Sequence, residues 1–413
     1  MDEFSRDVRS IRLPRWGRVA ANPGVVPWMV LDEQGRAVEP VRRYLIDFVA
    51  RYNRPGSVRS YAFDLLRWWR WLRVVDVPWD QATSAEGRDF ALWLGTTFKV
   101  PNAARTVSIV TAGTINPITK KPYLDDRYKP RTIRHSNAVI RSFYTFWIEA
   151  GGGPLVNPVP LARSERRRPH AHHNPLDPYR GEGRLRYNPR IPRRRPRQMS
   201  DERWNELFAA LRSNRDRAIV ALAISNGARA SELLSMKGVD VDWGDQLVRV
   251  VRKGAQAEQW LPASAEAFIW TRLYQSEGTP LDPQVPLWWT LRRRDHGVGL
   301  ARQPMNYEAL RAVFRRANAL LGTNWSMHDL RHTAALRMAR DKRLTLRDVQ
   351  TILGHAHLST TADIYLVEDE EQVIARVQEY LADVKERAAL SLASPATGYE
   401  ASVLDVLFGG EHG

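Results

Sequence analysis

Between Gly151 and Arg197 the sequence cannot build a packed domain, and this divides the chain in two. The stretch opens with GGGPLVNPVP and continues, from Arg163 to Arg197, with 12 Arg, 3 acidic residues and 6 Pro. Proline fixes φ and removes a backbone donor, and the excess of like charge resists compaction, so this strap neither extends a helix nor buries a core. Helical patterns lie on both sides of it. The expected organisation is an N-terminal extension over residues 1–38, a helical domain over 39–150, the basic linker over 151–198, a second domain over 199–392 and a tail over 393–413. A chain of 413 residues has the length for two or three domains with real cores.

The strap also carries a net +9 of the chain's formal +16. Such a charge suits a polyanionic partner, either nucleic acid or an acidic membrane surface. Within the strap Arg166, Arg167, Arg168, Arg193, Arg194 and Arg195 are candidate phosphate contacts, as are Arg59, Arg67 and Arg70 in the first domain. The plainer reading of the strap is a solvated linker. Because 54 of the 62 basic residues are Arg, no single Arg is marked as functional by its type, and a Lys is the rarer signal. His170, His172 and His173 also lie in the strap, but no carboxylate or Cys spacing turns them into a metal site.

There is no cysteine, which removes disulfides, thiolate metal sites and thiol catalysis. The first residues, MDEFSRDVRSIRLPRWGR, are charged throughout, and nowhere do 18 uncharged apolar residues run together. The expectation is a soluble, unprocessed, cytoplasmic protein with no membrane partner.

Apolar periodicity predicts helices near Pro40 to Tyr52, after Ser57 as an N-cap, at Ala85 to Phe98 and at Arg131 to Glu149, with Val100 to Pro130 an extended loop or small hairpin. Beyond Met199, helices are expected at Ser200 to Arg212, Arg215 to Asn226 and Ser231 to Met236. A hairpin of Leu247 to Arg252 and Glu258 to Pro262 follows, with Gly254 in its turn. Further helices are expected at Ala263 to Glu277, Asn306 to Leu321, His328 to Arg340, Thr345 to Leu353, Thr361 to Leu366 and Glu371 to Leu392. The apolar residues Val403, Leu404, Val406, Leu407 and Phe408 would be core or a segment that docks on a neighbouring subunit.

No GxxxxGK[ST], HExxH, GxSxG or EF-hand loop is present, so nucleotide and metal dependence have no sequence support. What stands out is a cationic set with one phenol: Arg229 in NGARASELL, Lys253 in VRKGAQ, His328 and Arg331 in MHDLRHTAA, His355 in ILGHAHLSTT and Tyr365 in ADIYL. That inventory suits attack on a phosphodiester, whose non-bridging oxygens gain charge that two guanidiniums can hold. A tyrosine can be the nucleophile if a base or cationic pocket takes its proton, and a lysine can protonate the departing sugar oxygen. Each residue alone has a plainer explanation. HxxR arises by chance about 1.3 times in a chain of this composition. Tyr365 would ordinarily be a half-buried core residue, Lys253 a turn lysine, His355 a helix cap, and His328, Arg229 and Arg331 a cap and surface arginines.

Taken in order, the strings resemble the tyrosine recombinase, or phage integrase, family from Met199 to about Glu370, with a looser likeness over Pro40 to Gly151, where SVRSYAFDLLRWWRWL resembles its core-binding domain. The resemblance implies a mainly α fold with a small β-hairpin or sheet in the catalytic domain, arranged as a two-domain DNA clamp. It implies that Arg229 and Arg331 grip the scissile phosphate and that Glu232 orients the site. His328 would accept a proton or bond the phosphate, His355 would bond the phosphate, Tyr365 would form the 3′-phosphotyrosyl link, and Lys253 would be the general acid. RKGAQAEQWLP departs from the family pattern, since the basic residue often found a few positions after the lysine is here Gln259.

The family further implies double-stranded DNA as partner, a homo-oligomer that is tetrameric in the synapse, an accessory DNA-bending or directionality protein, and no cofactor. The extension, the loop over Val100 to Pro130 and the long strap favour an integrase or transposase of a mobile element. Other readings are a chromosome-dimer resolvase, a relaxing topoisomerase, a non-catalytic recombination accessory factor and an RNA-binding protein.

Overall fold

The computed structural model describes residues 6–99, 111–162, 184–191, 198–252, 256–278, 282–295, 299–354, 377, 378 and 381. The chain forms two compact units, Met1–Arg193 and Arg194–Gly413.

In the first unit an antiparallel hairpin, β1 (Arg18–Ala21) and β2 (Trp28–Leu31), precedes α1 (Glu39–Ala50), α2 (Pro55–Val75), α3 (Ser84–Thr96) and α4 (Pro130–Glu149). Prolines sit in the first turns of α1, α2 and α4, where a missing N–H costs nothing and the fixed φ is already helical. This corrects one expectation: α2 starts at Pro55 with Arg54 as its N-cap, so Ser57 lies inside the helix. The helix stops at Asp76, which takes a left-handed conformation.

The core is aromatic. Trp68, Trp71, Tyr44, Tyr144, Phe90 and Phe143 are fully buried, and two of their polar atoms form a chain: Trp68 Nε1 donates to the Tyr144 hydroxyl at 2.9 Å, which donates to Trp79 O at 2.8 Å. Trp16, Val26, Val30 and Val38 belong to this same core, so residues of the N-terminal extension pack into the helical unit.

Part of the strap is built in as well. Ala162 N donates to Arg184 O and Arg186 N to Pro160 O, while Asn137 on α4 donates to Tyr187 O and to Asn188 Oδ1. Residues 184–188 are therefore tied to the first unit. Backbone pairing, which composition does not reveal, fixes them. In the loop before α4, pairings of Ile115 with Pro122 and Phe98 with Arg127 give the small hairpin expected there.

The second unit is built around α6 (Asn214–Asn226), whose residues from Ala218 to Ala223 are all buried. A helix apolar on every side needs neighbours all round. They include α8 (Ala265–Ser276) and α10 (Met327–Arg340). The described residues also form α5 (Asp201–Ala209), α7 (Ala230–Leu234), α9 (Tyr307–Leu321) and α11 (Leu346–Leu353). Strands β3 (Val241–Asp242), β4 (Leu247–Val251) and β5 (Glu258–Pro262) make a three-stranded antiparallel sheet in that order, and β6 (Arg294–Asp295) pairs with β7 (Leu300–Ala301). The expected hairpin is thus two strands of a sheet. Val248 opposes Leu261 and Val250 opposes Gln259. The expected helices over Thr361 to Leu366 and Glu371 to Leu392, the Gly254 turn and Val403 to Phe408 lie outside the described residues, apart from residues 377, 378 and 381.

Candidate active site

Helix α6 ends at Gly227, whose φ of +67° turns the chain sharply into Ala228 and Arg229. A Cβ at Gly227 would stand 2.7 Å from Leu353 Cδ2, so glycine is required both by the turn and by the approach of α11. Buried Asn226 braces the turn, accepting from Ala228 N at 3.0 Å and donating to Pro262 O at 3.2 Å. Arg229 then becomes the N-cap of α7. Its backbone N–H donates to Glu232 Oε2 at 2.9 Å and its Nη1 to Oε1 at 2.8 Å.

Glu232 is 1% exposed, and a carboxylate so far from water needs paired cations. It has a second one. Arg252, 5% exposed, donates from Nη1 to Glu232 Oε2 at 3.1 Å and from Nε to Gln259 Oε1 at 2.7 Å, and its Nη2 reaches Ile352 O. Burial lowers the pKa of Arg252, Glu232 opposes that, and Arg229 adds to it; the net direction is below the ordinary value. A guanidinium remains charged at working pH all the same.

Helix α10 begins at a capping box in which Asp329 accepts from Ser326 N and Oγ at 2.8 and 2.6 Å. His328 sits in its first turn, exposed, with Nε2 2.9 Å from Nε2 of His332 one turn on, so one ring donates to the other. Arg331 is 7% exposed and directs Nη1 to Gly227 O at 2.6 Å and Nη2 to Leu353 O at 2.7 Å. One guanidinium therefore joins the turn before Arg229 to the end of α11, two residues before His355.

The structure thus links Arg229, Glu232 and Arg331, places His328 on the helix that carries Arg331, and leaves Lys253, His355 and Tyr365 outside the described residues. Arg252 and Gln259 were missed as a pair by sequence reasoning. The signal was available: on a strand of period two, Arg252 shares the inward face of Val248 and Val250, and an inward charge needs a reason.

Of the candidate DNA contacts, Arg59 lies over the rings of Trp28 and Phe63, each at 5.1 Å. Arg67 pairs with buried Asp64 and lies over Tyr128, while Arg70 donates to Trp16 O at 2.6 Å and Gly17 O at 2.8 Å. Arg166, Arg167, Arg168, Arg193, Arg194 and Arg195 lie outside the described residues. Among the described residues no group of three or more His, Asp or Glu is placed to hold a metal ion, and no helix is long and apolar enough to cross a membrane.

Residues 197–372 match the phage integrase family. The chain is 28% identical over 258 residues to tyrosine recombinase XerD of Xanthomonas axonopodis pv. citri (strain 306), a match spanning 58% of this chain and 73% of that protein. It is 21% identical over 365 residues to transposase A from transposon Tn554 of Staphylococcus aureus, spanning 86% of this chain and 94% of the other. Among solved structures, the fold resembles that of a lambda integrase dimer bound to a COC′ core site, with a TM-score of 0.52 at 14% identity over 80% of this chain and 96% of that one. It also resembles the Tn1549 transposon integrase in complex with transposon right end DNA, with a TM-score of 0.51 at 13% identity over 82% and 98%.

Proposed function

The chain belongs to the phage integrase family of tyrosine recombinases, and from that premise we propose how its residues carry out the reaction. It is a site-specific DNA recombinase, an enzyme that cuts and rejoins DNA strands. Tyr365 attacks the scissile phosphate: its phenolic oxygen bonds to phosphorus as the bond to the 5′ oxygen breaks. With a phenol pKa near 10, the tyrosine must lose its proton to a neighbour, and His328 accepts it. Lys253 protonates the departing oxygen, which leaves as a hydroxyl. Arg229 and Arg331 hold the non-bridging oxygens, and His355 bonds the same phosphate. One phosphoester is exchanged for another, so a 5′-hydroxyl from a second strand reverses the step and completes strand exchange.

The observation that carries this reading is Arg331 donating to both Gly227 O and Leu353 O, because it draws three separated motifs to one place. Arginines beside buried carbonyls and a shared carboxylate are pre-set in position, which is what stabilising developing charge requires.

The likeness to a transposase along 86% of the chain supports a role in moving a mobile element, ahead of chromosome-dimer resolution. Four protomers on two duplexes, and an accessory DNA-bending or directionality protein, complete the proposed assembly. The test uses duplex DNA from the ends of the host element, nicked near the crossover so that cleavage is trapped. Wild type should give a covalent band that yields a phosphotyrosyl peptide containing Tyr365, and Tyr365→Phe should bind without forming it. Tight binding with no adduct from either protein would favour an accessory factor.

A further inference from the structure

We propose that Arg252 is a positioning residue of the recombination site: its buried guanidinium holds Glu232, and through it Arg229, in register with the end of α11. The proposal rests on the reaction assigned above.

Each nitrogen of Arg252 serves a different segment. Nη1 goes to Glu232 on α7, Nε to Gln259 on β5, and Nη2 to Ile352 O on α11. A planar fork with fixed angles sets the relative places of all three, which a flexible ammonium cannot do. Gln259 adds a parallel tie, donating from Nε2 to Thr351 O at 3.1 Å. With Arg331 on Leu353 O, the three successive carbonyls of Thr351, Ile352 and Leu353 are each taken by a side chain from elsewhere in the fold. Thr351 O also accepts from Gly354 N at 3.1 Å, while the carbonyls of Ile352 and Leu353 meet the two guanidiniums at a helix end that carries partial negative charge. The chain leaves this end at Gly354 and reaches His355 in one step. Arg252 likewise immediately precedes Lys253.

Charge points the same way. Arg229, Arg252 and Glu232 together carry one net positive charge. Without Arg252, Glu232 pairs with Arg229 alone, the net charge falls to zero, and Arg229 is drawn away from phosphate. Gln259 fits this arrangement because a neutral amide can accept from Arg252 and donate to Thr351 O at once, whereas a basic side chain can only donate.

The test is single-turnover cleavage of the nicked duplex at saturating protein, recording rate constant, amplitude and DNA affinity separately. Arg252→Met should lower the rate constant by about 100-fold, the scale of a small displacement of catalytic groups. DNA affinity should change little, since many phosphate contacts share it. Arg252→Met with Glu232→Gln restores the net positive charge and should recover part of the rate, which loss of fold alone would not do. Misfolding lowers amplitude and leaves the rate constant of the folded fraction intact. If Arg252→Met does not fold, Gln259→Leu, which keeps every charge, should still slow cleavage at full amplitude. Wild-type cleavage with an undiminished rate constant in these variants overturns the proposal alone; no adduct from wild type overturns the assigned reaction and this proposal with it.

Discussion

Gly354 abuts the side chain of Arg252 so closely that a Cβ on residue 354 would meet Nε at 2.9 Å and Cδ at 3.0 Å. The glycine also has a φ of +61°, a left-handed conformation that costs other residues about 1–2 kcal/mol. Two independent demands therefore fall on one position, and Gly354→Ala violates both. The variant should lose about 1–2 kcal/mol in thermal unfolding. Its cleavage rate should fall further than its stability, because the displaced group is the Arg252 guanidinium and the displaced segment leads into His355. An alanine variant that cleaves at the wild-type rate would show that the contact relaxes without consequence.

The helices were legible because their apolar spacing and end residues agree: α3 was expected to begin at Ala85 and begins at Ser84, and α9 ends at Gly322 in the left-handed conformation that glycine suits. Hairpin β1–β2 was not foreseen, since RVAA and WMVL are too short to show alternation and are placed by contact with α2. In the site, Arg229, His328 and Arg331 were legible from the wording around them. Arg252 was not. It is one Arg among 54, and two of its partners lie 20 and 100 residues away, so only the folded chain brings them together. The same holds for Arg67 and Arg70, which read as a basic helix face in sequence and are engaged within the fold by Asp64 and by two backbone carbonyls.

Arg70 separates two roles that a basic helix residue can have. It donates to Trp16 O and Gly17 O, and the Arg73 guanidinium lies 4.9 Å from the centre of the Trp16 ring, so two arginines of α2 add polar ties to the apolar packing of the N-terminal segment. Arg70→Ala should release that segment, increasing protease cleavage before β1 in the full chain, while the salt dependence of DNA binding keeps its slope. A phosphate contact behaves in the opposite manner: its removal reduces the slope by about one and leaves proteolysis unchanged.

Glu86 couples the N-terminus of α3 to acid pH. Its carboxylate accepts from Thr83 N at 2.9 Å, Thr83 Oγ1 at 2.7 Å and Arg6 Nη1 at 2.7 Å, closing the capping box of α3 and anchoring the N-terminal segment at once. Burial by itself raises its pKa, but the bonds from the Thr83 side chain, Arg6 and the Thr83 backbone together outweigh it, and the net direction is below the ordinary 4.5. A carboxyl depressed in the folded state contributes stability that is complete above 4.5 and disappears as pH falls through the folded value. Glu86→Gln keeps the shape but removes the charge, and should cost about 1 kcal/mol at pH 7, the difference between charged and neutral hydrogen bonds. Amide exchange of α3 in the two full-length proteins, compared at equal pH, reads this directly. The gap in protection should be constant from pH 7 to about 5 and narrow as the solution is made more acid. A gap that stays the same down to pH 3 would mean that the cap works through geometry alone, with the carboxylate charge contributing nothing.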